Sequence, residues 1–585
     1  MQWKKIGVLV AAGALAAAAA CGAPPSERGS DGGTRAEPRD TSAIGDATDP
    51  NAKAPAPEVP GAQKGGTLTI YTSSSPHTLD PTRAYYTDST AILRLVTRAL
   101  TQYQYRDGKM VLVPDMATDL GQHNEDFTEW TFTLRDGLKY EDGSPVTSED
   151  VAYAIKRQLA IEELPDGPLY GLDYYLDGDK YQGPYKDGDN FRAVETPDDK
   201  TIVIKLRRPF PDMPFFASFP DFTGIPKDKD TREEYGNHPL ATGPYKFERY
   251  VPGKELILVR NDQWDPATDT SRHQYVDRYH FQFAQDPVRF YTQLIEDQGE
   301  DQTAMTYTDV LSEKLPDIEG TPVEERLVKG RNSCTYYVYM NTREIPLEVR
   351  KALAVAYPIE SLHKVAGDIR DLTWYPATSI LNPTTPGWLE YDVLGTGGEG
   401  DGDPVKAKKM LEKAGKLGFE LSWYVRENDP IDPQVSQLRK EKLEAAGFKA
   451  KPIPTTKEKL REQLSDPDAP VNLRVHSGWC NDWPSGSSVF PAQWDPRKND
   501  EPGVPNPAFL DAPEIADRID EILQMPVEKG LAEWGKLDKY IMEKYVPVIP
   551  YGADGDAVLR GSKVQNVHWD EVLGMPDFPQ IYISQ

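Results

Sequence analysis

The sequence predicts a mixed α/β fold, because segments of two different periodicities follow one another along the chain. Residues 66–71 and 130–134 alternate between apolar and polar side chains, as half-buried β-strands do. Val151, Ile155 and Leu159 recur at a spacing of four and would share one face of a helix. Strands and helices that alternate in this way are typical of an α/β body.

The elements follow from local signals in chain order. The first strand is followed by a turn-rich run at 79–81 and then by a helix-like stretch, residues 92–100, that is rich in Leu, Ile and Val. The strand at 130–134 ends at the turn signal Arg-Asp-Gly. Thr147 lies three residues before Asp150, which is the spacing of a capping box, and this pair predicts the start of the next helix.

Composition excludes several classes of function. The chain has 585 residues, of which 38% are hydrophobic, so it can bury a large core. Its formal net charge is −27, and we expect no nucleic-acid partner because phosphates require a clustered basic surface. With eight histidines and three cysteines, we expect no metal and no cofactor. The chain lacks Gly-x-Ser-x-Gly and His-Glu-x-x-His, and His273 and His280 have no matching carboxylates, so we predict that it is not an enzyme.

Residues 1–20 have the pattern of an export signal. Two lysines precede an apolar run, residues 6–20, that is too short to span a bilayer comfortably. Cys21 follows three alanines, and this resembles a bacterial lipobox, although Ala18 stands where leucine is usual. We predict that Cys21 is lipidated and anchors the chain at the extracytoplasmic face of the cell membrane. The alternative is a plain secretory signal that leaves Cys21 unmodified.

Residues 21–64 have the composition of a disordered linker. From residue 22 to residue 64 there are seven prolines and only two large apolar side chains, Ile44 and Val59. Such a segment cannot bury enough surface to offset the entropy of its chain. We therefore expect the ordered body to begin near Gly65.

Several segments of the remaining chain match one known family. The run WTFTLRDGLKYEDGSPVTSEDV, residues 130–151, is the longest of them, and residues 79–81, 242–245 and 340–342 match in the same order and spacing. Through these segments the chain resembles the extracellular solute-binding proteins of bacterial ABC importers for peptides and nickel, including the oligopeptide-binding lipoproteins. The resemblance covers residues 65–585.

The resemblance implies a periplasmic-binding-protein-like fold of class II, with two hinge-linked lobes, mixed sheets and an extra domain. Residues 65–97, 223–333 and 556–585 would form the core of lobe I. Residues 98–222 would form an additional domain of lobe I, and residues 334–555 would form lobe II. Such lobes close over a ligand by hinge motion, and we expect a monomer.

The segment VHSGWCNDW, residues 475–483, is similar to the segment that lines the cleft of oligopeptide receptors. The motif gives Asp482 the role of binding the α-ammonium group of a peptide. A water-poor cleft has to compensate a buried ammonium group, and a carboxylate does so. The alternative is that Asp482 caps a turn before Pro484.

The same motif places four further residues beside the ligand: Gly478, Trp479, Cys480 and Asn481. Residues 478–480 would offer a strand edge for main-chain pairing with a peptide, and Trp479 is either a wall of the cleft or a core residue. His476 stands where some oligopeptide receptors carry arginine, and it would meet a peptide carboxylate only when protonated. We also expect Tyr85 and Tyr170 to line the pocket, although tyrosines are common at domain surfaces.

The resemblance also implies a disulfide. Cys334 and Cys480 both fall where the oligopeptide receptors have theirs, and an exported chain reaches an oxidising compartment. With Cys21 assigned to lipid, this pair accounts for the remaining cysteines.

The expected function is that of a lipid-anchored substrate-binding component of an ABC importer. It would capture short peptides between its lobes and deliver them to the permease subunits in the membrane. Two alternatives share the fold: a protein that binds another solute, such as an oligosaccharide or a metal chelate, and a receptor for a peptide signal.

Overall fold

The computed structural model describes residues 47–499 and 506–585, which contain three sheets of four or five strands. These residues lie within one compact unit that begins at Thr41. The expected export signal, the expected lipidation site Cys21 and the first part of the expected linker lie outside the described residues. Within the described part, no helix is both long enough and apolar enough to cross a membrane.

The first sheet has five strands, and two of its pairings are parallel. Its strands are β1 (Thr67–Tyr71), β8 (Tyr245–Val251), β9 (Glu255–Arg260), β10 (Arg278–Gln282) and β11 (Ala304–Thr306). They lie in the order β11-β1-β10-β9-β8, with β1 parallel to both of its neighbours. Two helices pack apolar side chains against this sheet: α1 (Thr87–Val96) and α6 (Pro287–Glu296).

The second sheet is antiparallel and lies within residues 98–222, the expected additional domain. Its strands, in sheet order, are β4 (Gln122–His123), β5 (Glu129–Thr133), β7 (Thr201–Lys205) and β6 (Val194–Asp198). The same region holds a hairpin and four helices: β2 (Thr101–Arg106), β3 (Lys109–Pro114), α2 (Ser148–Arg157), α3 (Tyr170–Tyr174), α4 (Pro184–Asp187) and α5 (Met213–Phe216). The predicted capping box is confirmed, because Thr147 and Asp150 bond each other's backbone N–H at the start of α2.

The third sheet contains the two longest strands of the described chain. Its strands, in sheet order, are β13 (Trp374–Tyr375), β17 (Val548–Leu559), β12 (Leu327–Met340) and β16 (Leu473–Cys480). A parallel pair lies beside it: β14 (Glu420–Arg426) and β15 (Lys449–Thr455). Four short strands end the chain: β18 (Val564–Gln565), β19 (Trp569–Asp570), β20 (Met575–Pro576) and β21 (Tyr582–Ile583).

The remaining helices lie between β11 and β17 along the chain. They are α7 (Leu315–Ile318), α8 (Leu347–Ala356), α9 (Ile359–Ala366), α10 (Pro404–Ala414), α11 (Asp432–Ala445), α12 (Lys457–Leu464), α13 (Phe490–Gln493), α14 (Pro513–Leu523) and α15 (Val527–Tyr545). Helices α8 to α11 bury apolar side chains with β14 and the carboxyl-terminal end of β12. Helices α14 and α15 form a separate apolar cluster on which Trp479 also packs.

Strands β12 and β17 pair along most of their length, with two irregularities in register, of which the smaller lies between Tyr336 and Tyr337. The pairing runs as far as Arg331 and resumes at Thr335, so residues 332–334 leave the regular ladder. The expected lobe boundaries at 333/334 and 555/556 fall beside this interruption. A break in a long two-strand ladder is a natural place for a bend between two parts of a fold.

The expected start of the ordered body was wrong, because residues 47–64 already pack on it. Thr48 forms a bridge with Leu112 of β3, and Asp49 accepts an ion-paired hydrogen bond of 2.6 Å from Arg106. Ala56 is only 5% exposed. The proline-rich composition did not reveal this, since the segment is held by backbone hydrogen bonds and one ion pair rather than by large apolar side chains.

The structure contains the disulfide that the resemblance implied. Cys334 on β12 and Cys480 on β16 lie directly opposite each other in the antiparallel register and are bonded. The bond joins residues 146 positions apart. It therefore ties the end of β16 to the point where β12 leaves its ladder with β17.

We expect a cross-linked peptide containing Cys334 and Cys480 in a non-reducing digest of the native protein. In the chain-entropy model, closing a loop of this length stabilises the fold by about 5 kcal/mol, so the Cys334→Ser/Cys480→Ser double variant should unfold at lower urea concentration. Two free thiols in the native protein, counted after denaturation without reductant, would contradict the pairing.

Candidate functional site

A cavity of about 650 Å³ lies where separate parts of the chain meet. Its first walls come from α1 with the loop before it, from β2 and from residues 218–220. Its other walls come from the interruption in β12, the end of β16, β17 and residues 570–575. This volume is in the range of sites that bind small organic molecules. Convergence of so many segments on one space makes it the candidate site.

The end of β16 is held rigidly at the cavity wall. Beyond the disulfide, the Asn481 backbone N–H donates to the carbonyl oxygen of Ser333 at 3.2 Å, and the Ser333 hydroxyl donates to the Asn481 carbonyl at 3.1 Å. The Asn481 side chain is also fixed, donating to Thr385 Oγ1 at 2.5 Å. These bonds leave the next residue, Asp482, with a fixed backbone position.

Asp482 meets two tyrosines from distant parts of the chain. The Tyr170 hydroxyl donates to Asp482 Oδ2, and the Tyr85 hydroxyl also bonds this carboxylate. Burial raises the pKa of Asp482 to about 6, although the two hydroxyl bonds act to lower it. The structure thus brings together three of the residues that the sequence singled out, and it offers the carboxylate no cation among the described residues. Tyr85 lines the cavity as expected, whereas Tyr170 does not line it and reaches it only through its bond to Asp482.

The residue after Asp482 is buried among residues of the segment 98–222. Trp483 is 0% exposed, and its ring centroid lies 4.9 Å from that of Tyr170, 5.7 Å from that of Phe210 and 6.3 Å from that of Phe219. Its indole N–H donates to Ser487 Oγ at 2.7 Å. The segment that carries Asp482 therefore closes against residues 98–222 through an aromatic cluster, a contact that the sequence analysis missed.

A buried acid adds to the same contact. The carboxylate of Asp212 accepts hydrogen bonds from Ser487 and, at 3.2 Å, from Ser485. Burial raises the pKa of Asp212 to about 6, and the serine hydroxyls partly offset this. Both serines lie in the expected lobe II and Asp212 lies in the expected additional domain, so polar and apolar contacts support the same closed arrangement.

The other expected site residues divide into two groups. Gly478, Trp479, Cys480 and Asn481 line the cavity. Trp479 is fixed by a hydrogen bond from its indole N–H to the carbonyl oxygen of Ser488 at 2.8 Å. His476 does not reach the cavity: its Nε2 lies 3.3 Å from Asp432 Oδ2 and 3.2 Å from the carbonyl oxygen of Tyr424. Its partner is thus a carboxylate of α11, which explains why it is turned away.

Further carboxylates line the cavity that the sequence analysis did not find. Asp554 and Asp556 occupy alternate positions on β17, and both accept from the side-chain amide of Asn332. Burial, followed by the charge of Asp556, raises the pKa of Asp554 to about 7. The Asp-Gly-Asp spacing was the available signal, since residues two apart on a strand share a face.

The cavity thus has the build of a site for a small organic solute. No group of histidine, cysteine and carboxylate side chains suited to a metal ion occurs in the part of the chain that the structure describes. A partly open cavity lined by several segments and by fixed polar groups is typical of proteins that bind small solutes.

Comparison with known proteins identifies the class more narrowly. The chain belongs to the bacterial extracellular solute-binding proteins, family 5, whose middle region matches residues 111–501. The resemblance found in the sequence is therefore confirmed. The family is extracellular, which places the folded body outside the cytoplasm.

Individual relatives agree with this assignment. The chain is 26% identical to the oligopeptide-binding protein OppA of Bacillus subtilis over 59% of its own length and 62% of that relative. It is 24% identical to the periplasmic oligopeptide-binding protein OppA of Salmonella typhimurium over 66% of its length and 70% of that relative. Among solved structures it resembles clavulanic acid biosynthesis oligopeptide binding protein 2, with a TM-score of 0.81 and 28% identity over 89% of this chain and 96% of that one. This likeness confirms the predicted fold class.

We expect Trp483→Ala to lower the free energy of unfolding by about 3–5 kcal/mol, since it removes a fully buried indole from an aromatic cluster. Urea unfolding monitored by circular dichroism measures the loss. Trp483→Phe, which keeps a ring in the cluster, is the matched control and should lose less. An Ala variant as stable as the parent would show that this contact does not hold the segment in place.

Proposed function

We propose that this protein is the substrate-binding component of an ABC importer for short peptides. The relatives that carry the name oligopeptide-binding protein support the choice of cargo. The observation that carries the proposal is the partly buried Asp482 carboxylate, which faces the cavity, is bonded among the described residues by two tyrosine hydroxyls and lies beside the disulfide that fixes its strand.

A peptide ammonium group fits the chemistry at Asp482. A buried carboxylate without a counter-ion is unfavourable, and its raised pKa is the expression of that penalty. An ammonium group brings a positive charge and three N–H donors, so it neutralises the carboxylate and forms charge-assisted hydrogen bonds. The two tyrosine hydroxyls orient the carboxylate for this contact.

The backbone of β16 offers the second element of peptide binding. β16 is the last strand of its sheet, so one of its two edges is free of a ladder partner in the described chain. An extended peptide can pair with such an edge through main-chain hydrogen bonds, which do not depend on its side chains. Gly478 keeps this part of the strand close to β12, because a Cβ there would lie 2.7 Å from the Tyr336 ring.

Delivery of the peptide to the permease depends on the closed arrangement of the segments around the cavity. Contacts of Asp482 and Trp483 with the additional domain hold the cavity shut, and cargo that bridges the same parts adds to the stability of that form. We propose that the closed form is the one that the membrane permease recognises, that Cys21 carries the lipid anchor and that the protein performs no chemical reaction on its cargo.

We expect Asp482→Asn to weaken the binding of a peptide with a free amino terminus by about 10- to 100-fold, because it removes one charge-assisted contact. Isothermal titration calorimetry with a trialanine peptide measures the change. The same peptide with an acetylated amino terminus should bind both proteins with similar, weak affinity.

The matched control for this variant is Asp262→Asn, which changes an exposed carboxylate outside the cavity. It should bind like the parent. An equal loss of affinity for the free and the acetylated peptide in Asp482→Asn would show that this carboxylate does not recognise the amine.

We expect the affinity for free-amine peptides to fall about tenfold between pH 7 and pH 5. The raised pKa of Asp482, about 6, means that its carboxylate is mostly ionised at the higher pH and mostly protonated at the lower one, and only the ionised form pairs with ammonium. Calorimetric titrations across this range measure the profile.

Asp212 is a second group that titrates in this pH range, because its pKa is also about 6. It bonds the same segment through serine hydroxyls, so the two carboxylates have to be distinguished. Asp482→Asn should make the profile flat if Asp482 is the titrating group. A profile that keeps its slope in Asp482→Asn would assign the pH dependence elsewhere and contradict the proposed contact.

A further inference from the structure

The charges that line the cavity are strongly unbalanced. Five carboxylates and one guanidinium line it: Asp88, Asp482, Asp554, Asp556, Asp570 and Arg94. The guanidinium is already neutralised, because Arg94 forms an ion pair with Asp570 and lies 3.5 Å from Asp577. A single peptide ammonium group at Asp482 would therefore leave most of the negative charge of the cavity uncompensated.

The largest part of this excess negative charge lies on β17. Asp554 and Asp556 are partly exposed, and the cavity is the space that they border. Asp309, which follows β11, lies against Asp556. The donors that reach these three carboxylates are neutral: the Asn332 amide at 2.9 Å from Asp554, and the Ala557 backbone N–H at 3.1 Å from Asp309.

No positively charged side chain of the described residues contacts these three carboxylates. Among the described residues, no lysine, arginine or histidine forms an ion pair with any of the three carboxylates within 4.0 Å. Burial and the mutual repulsion of neighbouring carboxylates raise the pKa of each of them. Such a cluster is unfavourable in the empty protein, and it becomes favourable when a cation enters.

The strand order gives the distance of this cluster from Cys480, the residue that ends β16 two positions before Asp482. β12 lies between β16 and β17, and Asp554 lies opposite the interruption in β12, next to the position of Cys334 that faces Cys480. With neighbouring strands about 4.8 Å apart, Asp554 and Cys480 are about 10 Å apart across the sheet. That is the length of about three residues of an extended peptide.

We propose that the cargo is a basic peptide, in which the side chain of a lysine or arginine near the amino terminus is held between Asp554 and Asp556. This inference rests on the proposed function and narrows its substrate class. The amino terminus of the peptide lies at Asp482, and the side-chain cation lies across the sheet at β17. The cavity then selects peptides that carry two positive charges at a fixed separation, rather than binding peptides in general.

The test compares tetra-alanine peptides that carry a single lysine at position 2, 3 or 4 with peptides that carry norleucine at the same position. Norleucine keeps the aliphatic chain and lacks the charge. Calorimetry on the full protein should show at least one lysine peptide binding about tenfold or more tightly than its norleucine counterpart. Glutamate at that position should bind more weakly than norleucine.

The Asp554→Asn/Asp556→Asn double variant assigns the preference to these residues. It should bind lysine and norleucine peptides equally, while its affinity for the norleucine peptide stays within about twofold of the parent. Because the change removes repulsion between carboxylates, the variant should unfold at no lower temperature than the parent. Asp262→Asn is the control and should keep the lysine preference.

The outcomes separate this inference from the function on which it rests. Equal binding of lysine and norleucine peptides by the parent protein overturns the inference and leaves peptide binding intact. A lysine preference that survives in the double variant overturns the assignment to β17. If no peptide of the series binds the parent at millimolar concentration, the proposed function falls and this inference with it.

Discussion

The site depends on β12, the strand that pairs on one side with β17 and on the other with β16. Through β17 it brings Asp554 and Asp556 to the cavity, and through the disulfide to β16 it fixes the segment that carries Asp482. The register of one 14-residue strand therefore sets the positions of all three carboxylates. Because a shift of one residue would turn every side chain to the opposite face, the disulfide and the two ladders together specify a single geometry.

Local signals and the family resemblance predicted much of this structure. The capping box at Thr147, the strand at 130–134 and the disulfide all occur where the sequence indicated, because each depends on a short pattern or on a motif shared with relatives. For Asp482 and Tyr170 the sequence predicted only that both residues lie in the same pocket. The direct hydrogen bond between them depends on the packing of segments more than 300 residues apart.

The parts that the sequence did not reveal depend on long-range contacts. Trp483 looked like one more residue of the cleft motif, yet it is buried in an aromatic cluster formed by the distant segment 98–222. His476 was expected beside the ligand, but a carboxylate on α11 provides a closer partner. Residues 47–64 had the composition of a free chain and are nevertheless ordered by backbone bonds to β3 at one end and to Asp269 and Tyr275 further along. Hydropathy and spacing carry no information on such partners, because the partners are chosen by the folded arrangement.

The burial of Trp483 has a consequence for the rate at which cargo is exchanged. To separate its segment from the additional domain, the protein must hydrate an indole of about 200 Å², which at about 25 cal/mol per Å² is unfavourable by about 5 kcal/mol. At equilibrium only about one molecule in several thousand would then be open. A bound solute should accordingly have a long residence time, because its exit requires the segment that carries Trp483 to separate from residues 98–222.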